Sequence, residues 1–552
     1  MRKLFVAGAV ALGLGLALQI VAEEKVDLSV VGRIRDEAFG ANSRVMETAF
    51  YLTDVYGPRL TGSPNAKAAG EWTIKKVTEW GLLNAKLEPW GPFGRGWYCT
   101  RFTAMMKEPE FSPLIGFARP WSEGTNGPVS GQAVMAVITG PQDFDKYKGK
   151  LKGKIVLTAQ PHASEMITSP LARRLTDAEL EEEATAPEPT SGNPASLPIG
   201  FLTGPTPARG GPAGTRPQVN MRQFRGQLNK FLKDEGVLVA ITPGTGTDGG
   251  DVFGSAAGSP DPKEEAPPPS VVITNEHYNR IARLIEKNIP VTLEFDIASK
   301  FTEPEDSFNV VAEIPGTDPS AGIVMLGGHF DSWTGGTGAT DNAAGSAVAL
   351  EAVRILKALD LKMRRTVRVA LWTGEEQGLM GSRAYVKEHF ADPADMKLKP
   401  EQAKVSAYYN LDNGSGKIRG IYLQNNPMVR PIFEAWLAPF KDLGADTLTI
   451  RNTGSTDHVS FDAVGIPGFQ FIQDPLEYST RSHHSNMDLY DRLQANDLEQ
   501  ASAVMAWMVY NTAERPEMLP RNPLPKPRPN RGEGAGPGAN RANNMPNPTS
   551  GN

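Results

Sequence analysis

From about residue 305 the chain alternates short, apolar strands with helices, and no other feature of the sequence restricts the fold as much. "AGIVMLGGH" reads as a buried strand, and "NAAGSAVALEAVRILKAL" as a helix with Val348, Ala352, Ile355 and Leu359 on one face. "RTVRVALW", "KVSAYYNLD" and "IPGFQFI" read as further strands, with "LMGSRAYVKEHF", "PIFEAWLAPF" and "LEQASAVMAWMVYNTA" as helices. Strand and helix in alternation imply right-handed crossovers, hence an α/β fold with a mostly parallel central sheet flanked by helices.

In such a sheet, ligands sit beyond the carboxyl ends of the strands. The side chains that carry chemistry fall there. His329 and Asp331 follow the first strand, and Asp341 opens the next helix. Glu375 and Glu376, bracketed by glycines in "LWTGEEQG", follow the second; Asp412 in "NLDNG" follows the third; His483 and His484 in "RSHHSNMD" lie beyond the last. A single acid at a helix start is usually a cap. Histidines and carboxylates at several strand ends of one sheet, with no cysteine among them, instead suit one or two divalent ions, zinc first and manganese or cobalt behind it. Two adjacent glutamates repel when held close and dry, unless one ligates a cation and the other takes a proton from water beside it.

At 552 residues the chain exceeds one ordinary core. Residues 1–22 ("MRKLFVAGAVALGLGLALQIVA") have the cations, apolar run and terminal alanine of a cleaved secretory signal, which points to a secreted or periplasmic protein with no membrane span after its removal. Residues 23–124 and 301–514 are expected to form one discontinuous domain. Between them, 125–300 reads as a β-rich insertion of short strands with a single helical run, "NEHYNRIARLIEKN". Two stretches have little to bury and are expected to be disordered: 175–219, rich in proline, glycine and acids, and the proline-rich tail 515–552.

A formal net charge of −6 argues against a nucleic-acid partner. Cys99, the only cysteine, excludes an intrachain disulfide and reads as a small apolar strand residue. No Gly-x-Ser-x-Gly elbow is present. Gly244, Gly246 and Gly249 imitate a dinucleotide fingerprint, but "GDVFGSAAGSPDPKEEAPPP" after them cannot open a helix.

"GGHFDSWTGGTGATDNAAG", "LWTGEEQGLMGS", "NLDNG" and "HHSNMD" together resemble the co-catalytic di-zinc exopeptidases, a family that includes secreted bacterial aminopeptidases, carboxypeptidase Q and glutamate carboxypeptidase II. The resemblance covers most of residues 36–515, and 125–300 is similar to the protease-associated domain that many members carry. It implies two zinc ions per chain: His329 and Asp412 on one, Glu376 and His484 on the other, Asp341 bridging, with Glu375 as general base and Asp331 orienting His329. His484 is preferred to His483 because Asp488 follows it at the family's spacing. His483 stands where many relatives have an oxyanion-stabilising tyrosine, which leaves His483 or Tyr478 for that task; Asp457 and His458 are expected near the pocket but not as ligands. The activity implied is hydrolysis of a peptide substrate, with an aminopeptidase favoured and a carboxypeptidase or dipeptidase of the carboxypeptidase Q type as the alternative. A catalytically silent protein on the same fold, or a one-zinc cyclase, are the rivals from other classes. The oligomeric state is not legible.

Overall fold

The strand Ile323–His329 runs through the middle of a mixed sheet in a computed structural model that describes residues 24–164, 166–188, 221–244 and 249–528. The expected signal at 1–22 lies outside the described residues. In space the strands follow the order Thr447–Thr449, Ile418–Tyr422, Gly468–Gln473, Val405–Asn410, Ile323–His329, Thr366–Trp372 and Thr292–Ile314. The four from Gly468–Gln473 to Thr366–Trp372 are mutually parallel, and antiparallel partners flank them. Their carboxyl ends therefore open on one side of the molecule.

Alternate side chains of a strand point to opposite faces, and here each face has its own core. Val324 and Leu326 pack with Val348, Ala352 and Ile355 of the helix Ala344–Ala358 and with Trp507 of Ala495–Glu514. Met325, Ala370, Trp372 and Tyr408 face the other way, against Tyr385 and Phe390 beside the helix Met380–His389 and Phe461 of His458–Asp462. The helix Pro64–Glu79 starts where the Ser63 hydroxyl accepts from the Ala66 N–H at 3.2 Å and proline takes the first helical position.

A feature absent from the sequence reading joins this sheet to the rest. Leu83–Glu108, 26 residues long, pairs antiparallel with Thr292–Ile314, 23 residues long. One end of Thr292–Ile314 borders the central sheet at Val367–Leu371, and the other borders Val129–Gln132. From there Ile155–Leu157, Val239–Pro243, Ser270–Ile273 and Gly116–Ala118 extend a second layer. This layer has its own core, built on Ile155, Leu157, Ile241, Val271, Ile273, Tyr278 and Phe295. Its limits differ from those expected: Gly116–Ala118 already belongs to it, and Thr292–Ile314 runs through residue 300 unbroken.

Three further expectations need correction. The helix Asn275–Glu286 is not the single helix of the insertion, because Met221–Asp234 is helical too. Its Phe224, Leu228, Phe231 and Leu232 recur at helical spacing and pack inward, a signal present in "MRQFRGQLNKFLKD". The loop expected over 175–219 begins with a helix, Asp177–Ala184, closed by a capping box between Thr176 and Glu179; residues 189–220 lie outside the described residues. The tail does not leave the body at Arg515. Leu519 is buried with its N–H on the Ser406 hydroxyl, and Asn522 Nδ2 donates to the Gln424 carbonyl. Proline lacks a donor but keeps its carbonyl, and the Pro520 carbonyl accepts from Asn426 Nδ2 at 2.8 Å, so a proline-rich segment can still dock through one leucine and such acceptors.

Candidate metal centre and active site

His329, Asp341, Glu376, Asp412 and His484 meet at the carboxyl ends of the parallel strands. His329 ends Ile323–His329 and is 1% exposed. Its Nδ1 lies 2.9 Å from the backbone carbonyl of Asp331, whereas the Asp331 carboxylate is 3.7 Å away. The expected orienting role of Asp331 thus falls to its main chain. A proton on Nδ1 for that carbonyl leaves the Nε2 lone pair pointing into the centre. There Nε2 faces Asp341 Oδ1 at 3.0 Å and Asp412 Oδ1 at 3.2 Å.

Asp341 sits in a single π turn, Ala339–Ala343, ahead of the helix Ala344–Ala358. Its neighbour Asn342 fixes that turn, accepting from the Gly345 N–H and donating to the Leu411 carbonyl. The second Asp341 oxygen, Oδ2, faces His484 Nε2 at 3.2 Å, and the same nitrogen is 3.0 Å from Glu376 Oε2. His483 stands farther off, 3.7 Å from Asp341, packed between Tyr478 and His484 with tilted rings whose centroids lie 4.7 and 3.8 Å away. Tyr478 is buried enough to hold its phenol well above the usual range, with Asp341, Asp412 and Glu376 adding to that effect.

Two imidazole nitrogens, one on the buried His329 and one on the half-buried His484, each face two carboxylate oxygens and demand a positive charge between them. Protons are one solution. Burial lowers both histidines, but Asp412, Asp331 and Asp341 around His329, and Glu376 and Asp341 around His484, hold both well above the ordinary imidazole value. Divalent ions are the other, displacing those protons. Ligands about 2.0–2.1 Å from a tetrahedral zinc ion stand roughly 3.3 Å from one another, close to the 3.0–3.2 Å found for these four nitrogen–oxygen pairs. Asp341 Oδ2 and Glu376 Oε1 are also buried without any hydrogen-bond partner. The donor set and its spacing fit a divalent metal.

Glu375 is half-buried beside this cluster. Burial pushes its carboxyl well above the ordinary range; His329 opposes the shift, and Asp412, Asp457 and Glu376 reinforce it. Its N–H donates to Asp331 Oδ1 at 3.3 Å, while Asp331 Oδ2 accepts from the Thr61 hydroxyl at 2.8 Å. That hydroxyl in turn accepts from the Gly374 N–H at 2.8 Å. Gly374 has φ +74°, and a Cβ there would meet the Trp90 ring at 2.8 Å, so the turn presenting the glutamates requires glycine. Thr61→Val leaves the Asp331 oxygen and the Gly374 N–H unpaired and buried. It is expected to cost about 1–3 kcal/mol of stability, seen as a lower urea midpoint that Thr61→Ser restores; an unchanged midpoint for Thr61→Val refutes this account of the turn.

Asp457 is wholly buried near the cluster, pushed up to about 7 by that burial, and neither of its oxygens has a hydrogen-bond partner. His458 lies apart from the donors, its Nε2 taken up by Gln424 and the Thr453 carbonyl. Asp488 holds the Thr340 N–H at 2.6 Å and so braces the turn that carries Asp341. Cys99 takes no part; its sulfur lies 3.2 Å from the Arg101 carbonyl.

Arg59 is the contribution that sequence reasoning missed. Fully buried, it donates to the carbonyls of Phe330, Leu52, Thr337 and Gly338, spanning the loop between His329 and Asp341. Gly338, φ +71°, allows the close approach: a Cβ would sit 2.3 Å from that of Ser332.

Comparison with known proteins agrees with this geometry. Residues 309–509 match the profile of peptidase family M28. Carboxypeptidase Q of Pongo abelii is 25% identical over 504 residues, 91% of this chain and 90% of that protein. Aminopeptidase YwaD of Bacillus subtilis is 29% identical over 199 residues, 35% of this chain and 42% of its own. The crystal structure of a peptidase M28 precursor from Shewanella amazonensis shares the fold, with a TM-score of 0.62 at 24% identity over 90% of this chain and 98% of that one.

Proposed function

We infer that the chain is a metallo-exopeptidase of peptidase family M28, and on that premise we propose that it is a two-zinc aminopeptidase. The observation that carries the two-ion reading is Asp341, each of whose oxygens faces a different histidine. In this reading His329 and Asp412 would hold one ion and Glu376 and His484 the other, with Asp341 available to either. When bound, the pair supplies an acidified water and a polarised scissile carbonyl. Glu375 takes the proton of the attacking water and returns it to the leaving amine. Asp331 and Thr61 keep Glu375 aimed through its own N–H and that of Gly374. Tyr478 and His483 border the ligand His484 and are the candidates to steady the developing oxyanion. A silent protein on this fold would be expected to lack one of these groups, and all are present.

The choice of substrate end rests on charge. Burial acts most strongly on Glu375, Glu376, Asp341 and Asp457; after it come the Ser382 hydroxyl for Asp457, and otherwise one another, Asp331, Asp412 and the site's histidines. No guanidinium is among them; Arg59 acts on Asp488, and its own donors face carbonyls. Acidic side chains outnumber cationic ones around the cluster, which favours a free α-ammonium over a terminal carboxylate. The long match to carboxypeptidase Q favours the second reading, attack at the carboxyl end.

One peptide, offered free, N-acetylated or C-amidated, decides. The N-acetylated form is expected to be cut about 100-fold more slowly or worse, because blocking leaves the acidic pocket without its cation; the amidated form should match the free peptide. The reverse order makes the protein a carboxypeptidase. Within the same proposal, residues 1–22 direct secretion or periplasmic export, and the second layer is a protease-associated-like insertion.

A further inference from the structure

The loop that carries His484 is gripped from outside by two separate segments of the inserted layer. On one side, Asn486 is joined to Val252 by two hydrogen bonds and to Gly250 by a third. The Val252 N–H donates to Asn486 Oδ1 at 2.7 Å, the Asn486 N–H donates to the Val252 carbonyl at 3.1 Å, and Asn486 Nδ2 reaches the Gly250 carbonyl at 3.2 Å. Phe253 forms an antiparallel bridge with Ser485, and the Gly254 N–H donates to the carbonyl of His484 itself at 3.1 Å. Arg481 adds an ion pair to the buried Asp251 at 3.5 Å. On the other side, the Thr480 hydroxyl donates to the Leu171 carbonyl at 2.8 Å, and the Arg173 N–H donates to that of Leu476 at 3.0 Å. Between these jaws His484 has φ +57°, a left-handed conformation uncommon for a residue with a Cβ.

We propose that the inserted layer is a clamp that positions the metal ligand His484, with Asn486 as the positioning residue through which its 250–254 segment acts. Asn486 suits the task because its amide can accept and donate at once, and here it does both to the backbone of the neighbouring segment. His484 is the one proposed ligand that does not sit within a few residues of a strand of the central sheet or on a helix entry braced by it: eleven residues separate it from Gln473, the end of Gly468–Gln473. The other ligands are held by the sheet. His484 needs an external hold, and the insertion supplies it. The His484 half of the centre is accordingly the half whose occupancy responds to how the insertion is docked, while His329 and Asp412 are indifferent to it.

This inference rests on the two-ion reading above, and metal binding separates the two without measuring turnover. The full-length protein, stripped of metal, is titrated with zinc against a chromophoric chelator. Wild type should take up two ions. Asn486→Ala should keep one at its original affinity and bind the other about 10–100-fold more weakly, with Asn486→Asp, which keeps the acceptor for Val252, in between. Thr480→Val releases the opposite jaw at nearly constant volume and should weaken the same ion, so the question stays answerable should Asn486→Ala fail to fold. Two ions bound by either variant with wild-type affinities overturns the clamp while leaving the two-ion centre intact. A wild type that takes up a single ion overturns both.

Discussion

Glu375→Gln is expected to lower kcat by about 10²–10⁴-fold with metal content unchanged, whereas Glu376→Gln is expected to lose one of two bound ions. The two side chains are adjacent, equal in chemistry and next to the same cluster, so opposite phenotypes would come from geometry alone. Glu376 Oε2 is 3.0 Å from His484 Nε2, inside the ring of donors. Glu375 makes no ion pair with either ligand histidine at 4 Å or less, and it meets the cluster through its backbone, its N–H resting on Asp331. Glutamine at 375 preserves shape and that backbone contact while removing the ability to take a proton. The experiment is metal analysis together with steady-state kinetics on a free peptide. Metal lost from Glu375→Gln, or more than a tenth of wild-type kcat remaining in it, refutes the assignment.

Why a pair of glutamates could be read from sequence at all is a matter of sheet geometry. Parallel strands send their carboxyl ends to one side, so residues that follow "MLGGH", "VALW" and "YYN" must converge however the intervening helices pack. His329, Asp341, Glu376 and Asp412 lie at such ends, and the structure brings them together. His484 was legible only as one of two neighbouring histidines, since it hangs on a loop whose course depends on contacts with residues 171–173 and 250–254. The pairing of Leu83–Glu108 with Thr292–Ile314 was not legible because the two strands lie far apart in sequence and are bent by repeated register shifts that break the two-residue alternation. Asp331 illustrates a finer limit: sequence marks the residue beside His329 but not whether its carboxylate or its carbonyl faces the ring.

Arg59→Met is expected to destabilise the protein by about 3–5 kcal/mol, the size seen when one partner of a buried charged network is removed, and to loosen metal binding in what remains folded. No periodicity marks Arg59 as special; an arginine in "YGPRLTGSP" reads as surface. Its guanidinium is nevertheless fully buried, with burial pulling it down to about 10 while Asp488, Asp331 and Asp341 oppose that fall. It answers two needs at once. The loop from Phe330 to Gly338 has carbonyls with no strand to satisfy them, and Arg59 donates to three of them and to Leu52. It also places a cation on the dry side of a cluster of acids, where water cannot screen their repulsion. Lysine meets the second need but not the first, because a single ammonium lacks the planar fork that reaches carbonyls in different directions. Arg59→Lys should therefore fall well short of wild type in urea midpoint and in zinc affinity. An Arg59→Lys protein as stable as wild type would mean that the charge alone matters, and the loop between His329 and Asp341 would then need another explanation for its shape.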